Sequence, residues 1–431
     1  MTPLPGQVSA RAARRTLLVL TFTRWFPVGL TIGITTLLPL ERGMSLAQIG
    51  VIFAMQGFVV LGLELPTGGF ADALGRRPVL VASAVVSLVS AVVFVTAQTF
   101  AAFVVALLLQ GVFRALDSGP LESWYVDAAQ ADDPCVAVED GLSRAGTVLG
   151  MSIATGALIS GGLIAWHPVA TASALVLPYL CAIALFGVHL VAVTLLVREP
   201  RHHLDSSGLR RAVASARQAP GVVLGGLRLL ATSRVLLALV LVEVFWSVGM
   251  IAFETLMPVR LSELAGGAAR AGALMGPVSA AAWGLFAAGS TAAGLASRRV
   301  GVARVALAAR ILNGALVVVM GLMAGPIGLI TAFLFTYTLH GAAGPVHATL
   351  LHRQAGAGNR TTVLSMNSMA AGGAYSLGLL VLGPLAEAIS TATAIIAAGA
   401  FSILGAALYL PAIRQEHVRP TIPSPAGTLG G

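Results

Sequence analysis

Lysine is absent from this chain of 431 residues; all 26 basic side chains are arginine. Schiff-base chemistry and proton transfer by a lysine amine are thereby excluded. Charge of either sign is scarce, at 10% of residues against about 25% in a soluble domain, so a soluble globular fold is excluded as well. Only two cysteines occur, Cys135 in a polar loop and Cys181 in an apolar run, without CxxC or metal-ligand spacing. No disulfide and no metal centre are expected. The sequence has no GxxxxGK[ST] loop and no His/Cys/Glu constellation, which argues against an ATP-driven pump or a membrane enzyme and implies no cofactor. The net charge of +9 lacks the interleaved aromatics of a nucleic-acid surface, so no nucleic-acid partner is expected.

What the chain does have is apolar sequence, at 57% of residues with a mean hydropathy of +0.90. At roughly 20 residues per bilayer-spanning helix this allows about a dozen spans. The apolar runs are continuous rather than alternating, which selects helices over a barrel. Their punctuation predicts twelve helices near 16–40, 47–70, 79–97, 100–126, 143–166, 169–197, 235–258, 271–297, 302–323, 327–351, 361–386 and 389–411. The first run follows the basic segment Met1 to Arg15 and is too long for a signal-peptide core, so it reads as an uncleaved span.

The expected organisation is an N-terminal six-helix bundle (1–197), a cytoplasmic linker (198–234), a C-terminal six-helix bundle (235–413) and a disordered tail (414–431). Within the linker, Gly208 to Gln218 reads as an amphipathic stretch lying on the membrane surface. With both termini on one side, 20 arginines fall on that side, three on the other (Arg42, Arg260, Arg270) and three inside spans (Arg24, Arg114, Arg310). The positive-inside rule then makes both termini of a multi-pass protein cytoplasmic.

An internal repeat supports the division into six and six. Gly68 and Gly75 after span two recur as Gly294 and Gly301 after span eight, at an offset of 226. Gly119-Pro120 of span four recurs as Gly344-Pro345 of span ten at an offset of 225, and Arg15, Leu17, Leu18, Leu20 and Phe26 recur as Arg234, Leu236, Leu237, Leu239 and Phe245 at 219. Two parallel six-helix repeats are the architecture of one class of secondary transporter.

The segment Gly68-x-x-x-Asp72-x-x-Gly75-Arg76-Arg77 resembles the signature loop of the major facilitator superfamily. The resemblance covers the whole chain in topology. It implies an all-α membrane protein with twelve transmembrane helices in two pseudo-symmetric six-helix bundles. Span four, with Gln110-Gly111 and Ser118-Gly119-Pro120-Leu121-Glu122 leading to Tyr125 and Asp127, is similar to that of a bacterial subgroup holding many drug-efflux members. Span five keeps the Gly161-Gly162 of antiporters but has Ala157-Leu158 in place of their Gly-Pro. The resemblance implies a functional monomer in the bacterial inner membrane, with a small-molecule substrate and protons as the coupling ion. Proton-driven export of a small, largely apolar compound by alternating access is the first expectation. Proton symport of a metabolite and a non-transporting sensor or scaffold stay open beside it.

Charges inside spans cost about 2.5–3.5 kcal/mol each on insertion scales, so they must face one another or water. Asp117, Glu243, Arg24, Arg114, Glu122 and His340 are therefore the candidates for proton coupling or cavity charge, with Asp117 leading. Arg114 and Asp117 are three residues apart and are expected to pair within span four, either structurally or in proton handling. Trp246, Glu254 and His347, with Asn313 and Asn367, are candidates for lining a cavity, with packing as the alternative. Glu64 and Asp127 read as network members, and Arg310 as snorkelling to the cytoplasmic surface. Arg24 and Glu243 occupy equivalent repeat positions with opposite charge, which predicts an ion pair between the halves; separate partners within each half are the alternative.

Overall fold

The computed structural model describes residues 8–169, 171–198, 221, 223–355 and 359–418, without the side chains of residues 65–73 and 361. Among the described residues twelve helices are long and apolar enough to cross a membrane. They are α1 (Ala10–Glu41), α2 (Leu46–Glu64, the helix itself running to Leu74), α3 (Arg76–Thr96), α4 (Phe100–Asp132), α5 (Val138–Trp166) and α6 (Val176–Leu196), followed by α7 (Arg234–Ala265), α8 (Ala268–Val300), α9 (Val302–Leu322), α10 (Pro326–Gln354), α11 (Thr362–Ala388) and α12 (Thr391–Glu416). Each sequence-predicted span overlaps one of them. The chain is an integral membrane protein of two six-helix bundles, and helices are what lipid demands, since a helix satisfies its backbone internally.

Four spans depart from regular α-helix, and three of the departures lie at or beside the space between the bundles. The first is in α1, which loosens between Ile32 and Leu37. In α4 the helix breaks at Ser118–Gly119, where Gly119 has φ +92° and Pro120 begins a second segment without needing an amide donor. Its repeat counterpart Pro345 stays inside the continuous helix of α10. The third, in α7, is a π-helical turn from Ala252 to Leu256. In α12 a 3-10 turn spans Ala406–Tyr409.

The internal repeat does survive at the turn after the second span of each half. Gly75 (φ 89°, ψ 157°) and Gly301 (φ 93°, ψ 151°) adopt the same backbone conformation, which is open to glycine alone among common residues. Everything from Gly68 to Leu74 is helical, so the signature segment reverses direction at Gly75 only.

The halves meet where α2 packs along α11 and α5 along α8. A Cβ on Gly50 would sit 2.6 Å from the Leu379 carbonyl oxygen, and one on Gly276 2.6 Å from the Gly161 Cα, so these backbones touch as small-residue membrane interfaces do. Both contacts lie toward the end of the bundle remote from the termini. There the Glu387 carboxylate of the second half also accepts the Ala47 N–H at the start of α2, at 3.0 Å. Farther along the same seam a Cβ on Gly373 would be 3.8 Å from Leu61. A Cβ on Gly57 would collide with Ser376 Oγ, so the seam is tight from the remote end to its middle and looser beyond.

One boundary needs correction. The tail expected to be disordered from Arg414 is helical as far as Val418. Glu416 holds it in place by pairing with Arg353 at 2.5 Å and accepting the Ala303 N–H at the start of α9, where a helix dipole favours an anion. Residues 419–431 and the amphipathic stretch Gly208 to Gln218 lie outside the described residues; within the expected linker, Val223–Thr232 forms a short apolar helix.

Candidate functional site

A cavity of about 660 Å³ lies between the halves, in the size range of pockets for drug-sized ligands. Helices α1, α2, α3, α4 and α6 of the first half form most of its wall, and α7 and α11 close it from the second. Aromatic rings dominate one part, including Trp25, Phe53, Phe94, Phe113 and Phe186. Among the described residues four charged side chains reach it: Arg24, Glu64, Arg114 and Glu254. Helix α10 contributes nothing to this wall, so His340 and His347 do not line it.

In the first half Asp117 pairs with Arg24 of α1 rather than with Arg114. Asp117 is the last residue before the α4 break, and its carboxylate also accepts a hydrogen bond from Ser83 of α3 at 3.2 Å. The Arg24 guanidinium lies 4.1 Å over the Trp25 ring and 5.0 Å from the Phe113 ring, and its apolar surroundings strengthen the pair. Arg114 is thereby released into the cavity. Among the described residues it makes no hydrogen bond or ion pair, although Tyr375, Arg24 and Glu64 lie within electrostatic range.

The second half carries a different network with the signs exchanged. Glu243 of α7 pairs with Arg310 of α9 at 2.8 Å, both nearly fully buried. His347 of α10 directs Nε2 at Glu243 Oε1 (3.2 Å) and Asn367 Oδ1 (3.1 Å), and Nδ1 at the Tyr409 hydroxyl (2.8 Å). Two acceptors before Nε2 place a ring proton there. Arg310 therefore does not snorkel; it lies 3% exposed with its guanidinium 4.3 Å over Trp246. The expected Arg24–Glu243 pair between the halves does not form. Each half supplies a counter-charge at contact distance, and a buried charge gains far more from a contact partner than from an equivalent position across a cavity.

Trp246 and His347 thus belong to the packed interior of the second half rather than to the cavity wall. His340 stacks on Trp246 with ring centroids 5.2 Å apart, inside a box completed by Phe253, Phe286 and Tyr337. Asn313 donates to the Thr336 carbonyl at 2.9 Å and ties α9 to α10. Glu122 is exposed beyond the α4 break, away from the cavity.

Glu254 is placed differently from the other acids among the described residues. It sits on the π turn of α7, a feature that recurs at functional sites, and touches both the main cavity and a void of about 20 Å³ beside Trp283 and Tyr337. That void holds roughly one water. The Tyr337 hydroxyl donates to Glu254 Oε1 at 2.7 Å, and among the described residues no cation pairs with it. The neighbouring Thr255 shares a 2.7 Å hydrogen bond with Tyr375 of α11.

In the signature segment, Arg76 pairs with Asp127 of α4 at 2.8 Å, and Arg77 donates to the Thr194 carbonyl of α6 at 2.8 Å. The two arginines fasten the turn at Gly75 to two other helices of the same half. Gly68 and Asp72 lie in the helical part, and the side chain of Asp72 is outside the described residues. Sequence reasoning missed Tyr337, Tyr375 and the buried His189, whose Nδ1 meets the Thr23 hydroxyl at 2.9 Å. Tyr337 lies 83 residues from Glu254, and no spacing joins them.

The model of the Major Facilitator Superfamily matches residues 17–343. No curated protein sequence matches the chain. Among solved structures, the nucleoside transporter NupG superposes with a TM-score of 0.73 at 12% identity, over 93% of this chain and 99% of its own. A POT family transporter in complex with 5-aminolevulinic acid gives 0.70 at 13% identity, over 95% and 96%. A bacterial homologue of the human drug peptide transporters PepT1 and PepT2 gives 0.69 at 10%, over 95% and 99%. At these identities the likeness is one of fold.

Proposed function

Because the chain belongs to the Major Facilitator Superfamily, and so is a membrane transporter rather than an enzyme, we propose that it exports a small, largely apolar compound by alternating access driven by protons. The observation that carries this reading is the cavity between the halves. Its aromatic and hydroxyl wall suits a compound with a large apolar surface and few polar groups. The seam is tight from the end remote from the termini to its middle and looser beyond, which supports one state of an alternating-access cycle. The arginine distribution supports a cytoplasmic position for both termini, and in this reading the protein works as a monomer in a bacterial inner membrane.

Glu254 is the proton carrier in this proposal, in place of Asp117 and Glu243. Those two acids each hold an arginine in contact, so protonating either would strand a buried cation. Glu254 has a hydroxyl donor but no cation partner among the described residues, and it borders both water-sized space and the substrate cavity. Proton and substrate can then compete around one carboxylate, which is the minimum that exchange requires.

The test is a substrate-panel transport measurement in inverted vesicles with and without a proton gradient. Uptake into such vesicles that collapses when the gradient is dissipated, and that Glu254→Gln makes gradient-independent, is expected. Gradient-driven movement in the opposite direction would turn the reading into symport. Unchanged gradient dependence in Glu254→Gln would remove Glu254 from the mechanism.

A further inference from the structure

We propose that Arg114 is a docking point for the anionic group of the transported compound, which makes the substrate an amphiphilic organic acid carrying a carboxylate or comparable oxyanion. The inference rests on the transport reading above and narrows it to a substrate class. Its basis is a charge balance drawn up helix by helix.

Among the described residues three arginines lie at mid-span, and two are neutralised in contact: Arg24 by Asp117 and Arg310 by Glu243. Arg114 is the exception. Its near neighbour in sequence, Asp117, is taken by Arg24 and Ser83, and Glu254 by the Tyr337 hydroxyl. Glu64, on the neighbouring helix α2, attracts Arg114 without forming an ion pair within 4.0 Å. Arg114 is exposed on the cavity at mid-span, where a charge is tolerated because it faces water, and its donors are open to an entering anion. Guanidinium presents a planar fork of donors that fits a carboxylate with two parallel hydrogen bonds.

The surroundings complete the site. Arg114 stands four residues after Gln110, and both open onto the cavity, with Ser118 at the α4 break below them. Across from them the second half presents Ser368 and Tyr375 of α11 on the same cavity. An oxyanion on Arg114 would therefore meet hydroxyl donors from the opposite half, so the anion would bridge the two bodies that must move relative to each other. The aromatic part of the wall, including Trp25 and Phe113, is left for the apolar body of the molecule. A neutral or cationic ligand would leave the Arg114 guanidinium without a contact acceptor of opposite charge.

The experiment is equilibrium binding by the purified, detergent-solubilised full chain of three isosteric probes: phenylpropionate, its carboxamide and phenylpropylamine. Expected is binding of the carboxylate in preference to the amide and amine, weakened at least about tenfold by Arg114→Gln and retained only in part by Arg114→Lys, which keeps the charge but loses the fork. Partial retention in the lysine variant distinguishes loss of charge from loss of fold. Equal binding of the amide or amine, carboxylate binding unchanged in Arg114→Gln, or no carboxylate binding at all would overturn the anion site. None of those outcomes touches the transport reading, which stands or falls on gradient-driven flux in vesicles.

Discussion

Glu243 and Arg310 show how a buried charge acts once water is excluded: the pair adds little by itself, and the loss of one member is severe. Glu243→Gln should destabilise the protein by about 3–5 kcal/mol, because Arg310 is then left buried without its counter-charge. A lowered unfolding midpoint in detergent checks this, and replacing both partners with apolar side chains should recover part of the loss. Arg24 and Asp117 should couple in a double-mutant thermal cycle, whereas Arg24 and Glu243 should be additive to within about 0.5 kcal/mol, as sites without shared partners are. A strong Arg24–Glu243 coupling would contradict the partner assignment. These pairings follow from side-chain placement, which no spacing in the chain displays.

At the level of elements, the turns and the seam are where substitution acts most directly. Gly75→Ala and Gly301→Ala each force a side chain into a conformation reserved for glycine and should cost on the order of 1–3 kcal/mol, read as loss of folded protein at a given temperature. Gly276→Val acts on the balance between states instead. Its branched side chain would collide with the Gly161 backbone and with the Ala157 carbonyl, so the tight end of the seam cannot close fully. Spin labels at Glu41→Cys and Ala269→Cys, on exposed positions of the two halves at that end, should report a longer distance in the valine variant than in the parent. An unchanged distance distribution would show that the α5–α8 contact does not govern closure. The helical segments carrying these glycines were legible as apolar runs. The α4 break was marked by Gly119-Pro120, but the same dipeptide in α10 stays helical, because tertiary packing and not the pair of residues decides whether a helix opens.

For the whole molecule the decisive quantity is which side each loop occupies. Cys135 is exposed in the turn between α4 and α5, on the same side of the bundle as the termini, while Cys181 is half-buried in α6. In a Cys181→Ser background, a membrane-impermeant maleimide should label Cys135 in inverted vesicles and leave it unlabelled in intact cells. Labelling from outside would reverse the orientation drawn from the arginines.

The sequence by itself determined the number of spans, their division into two repeats, the turn chemistry at Gly75 and Gly301, and the short set of charges from which any mechanism must be drawn. It could do so because the demands of a bilayer are local: a run is long and apolar enough to cross or it is not, and a charge within it stands out. Which charge meets which was decided only by the tertiary structure. Arg114 and Asp117 have the spacing of a helical pair, and Arg24 and Glu243 the register of a symmetric one, yet Asp117 turned to Arg24 and Glu243 to Arg310. Ion pairing depends on helix rotation, on the break after Asp117 and on the π turn that carries Glu254 into the cavity. Those are set by the packing of twelve helices at once, and they leave no periodic trace in the chain.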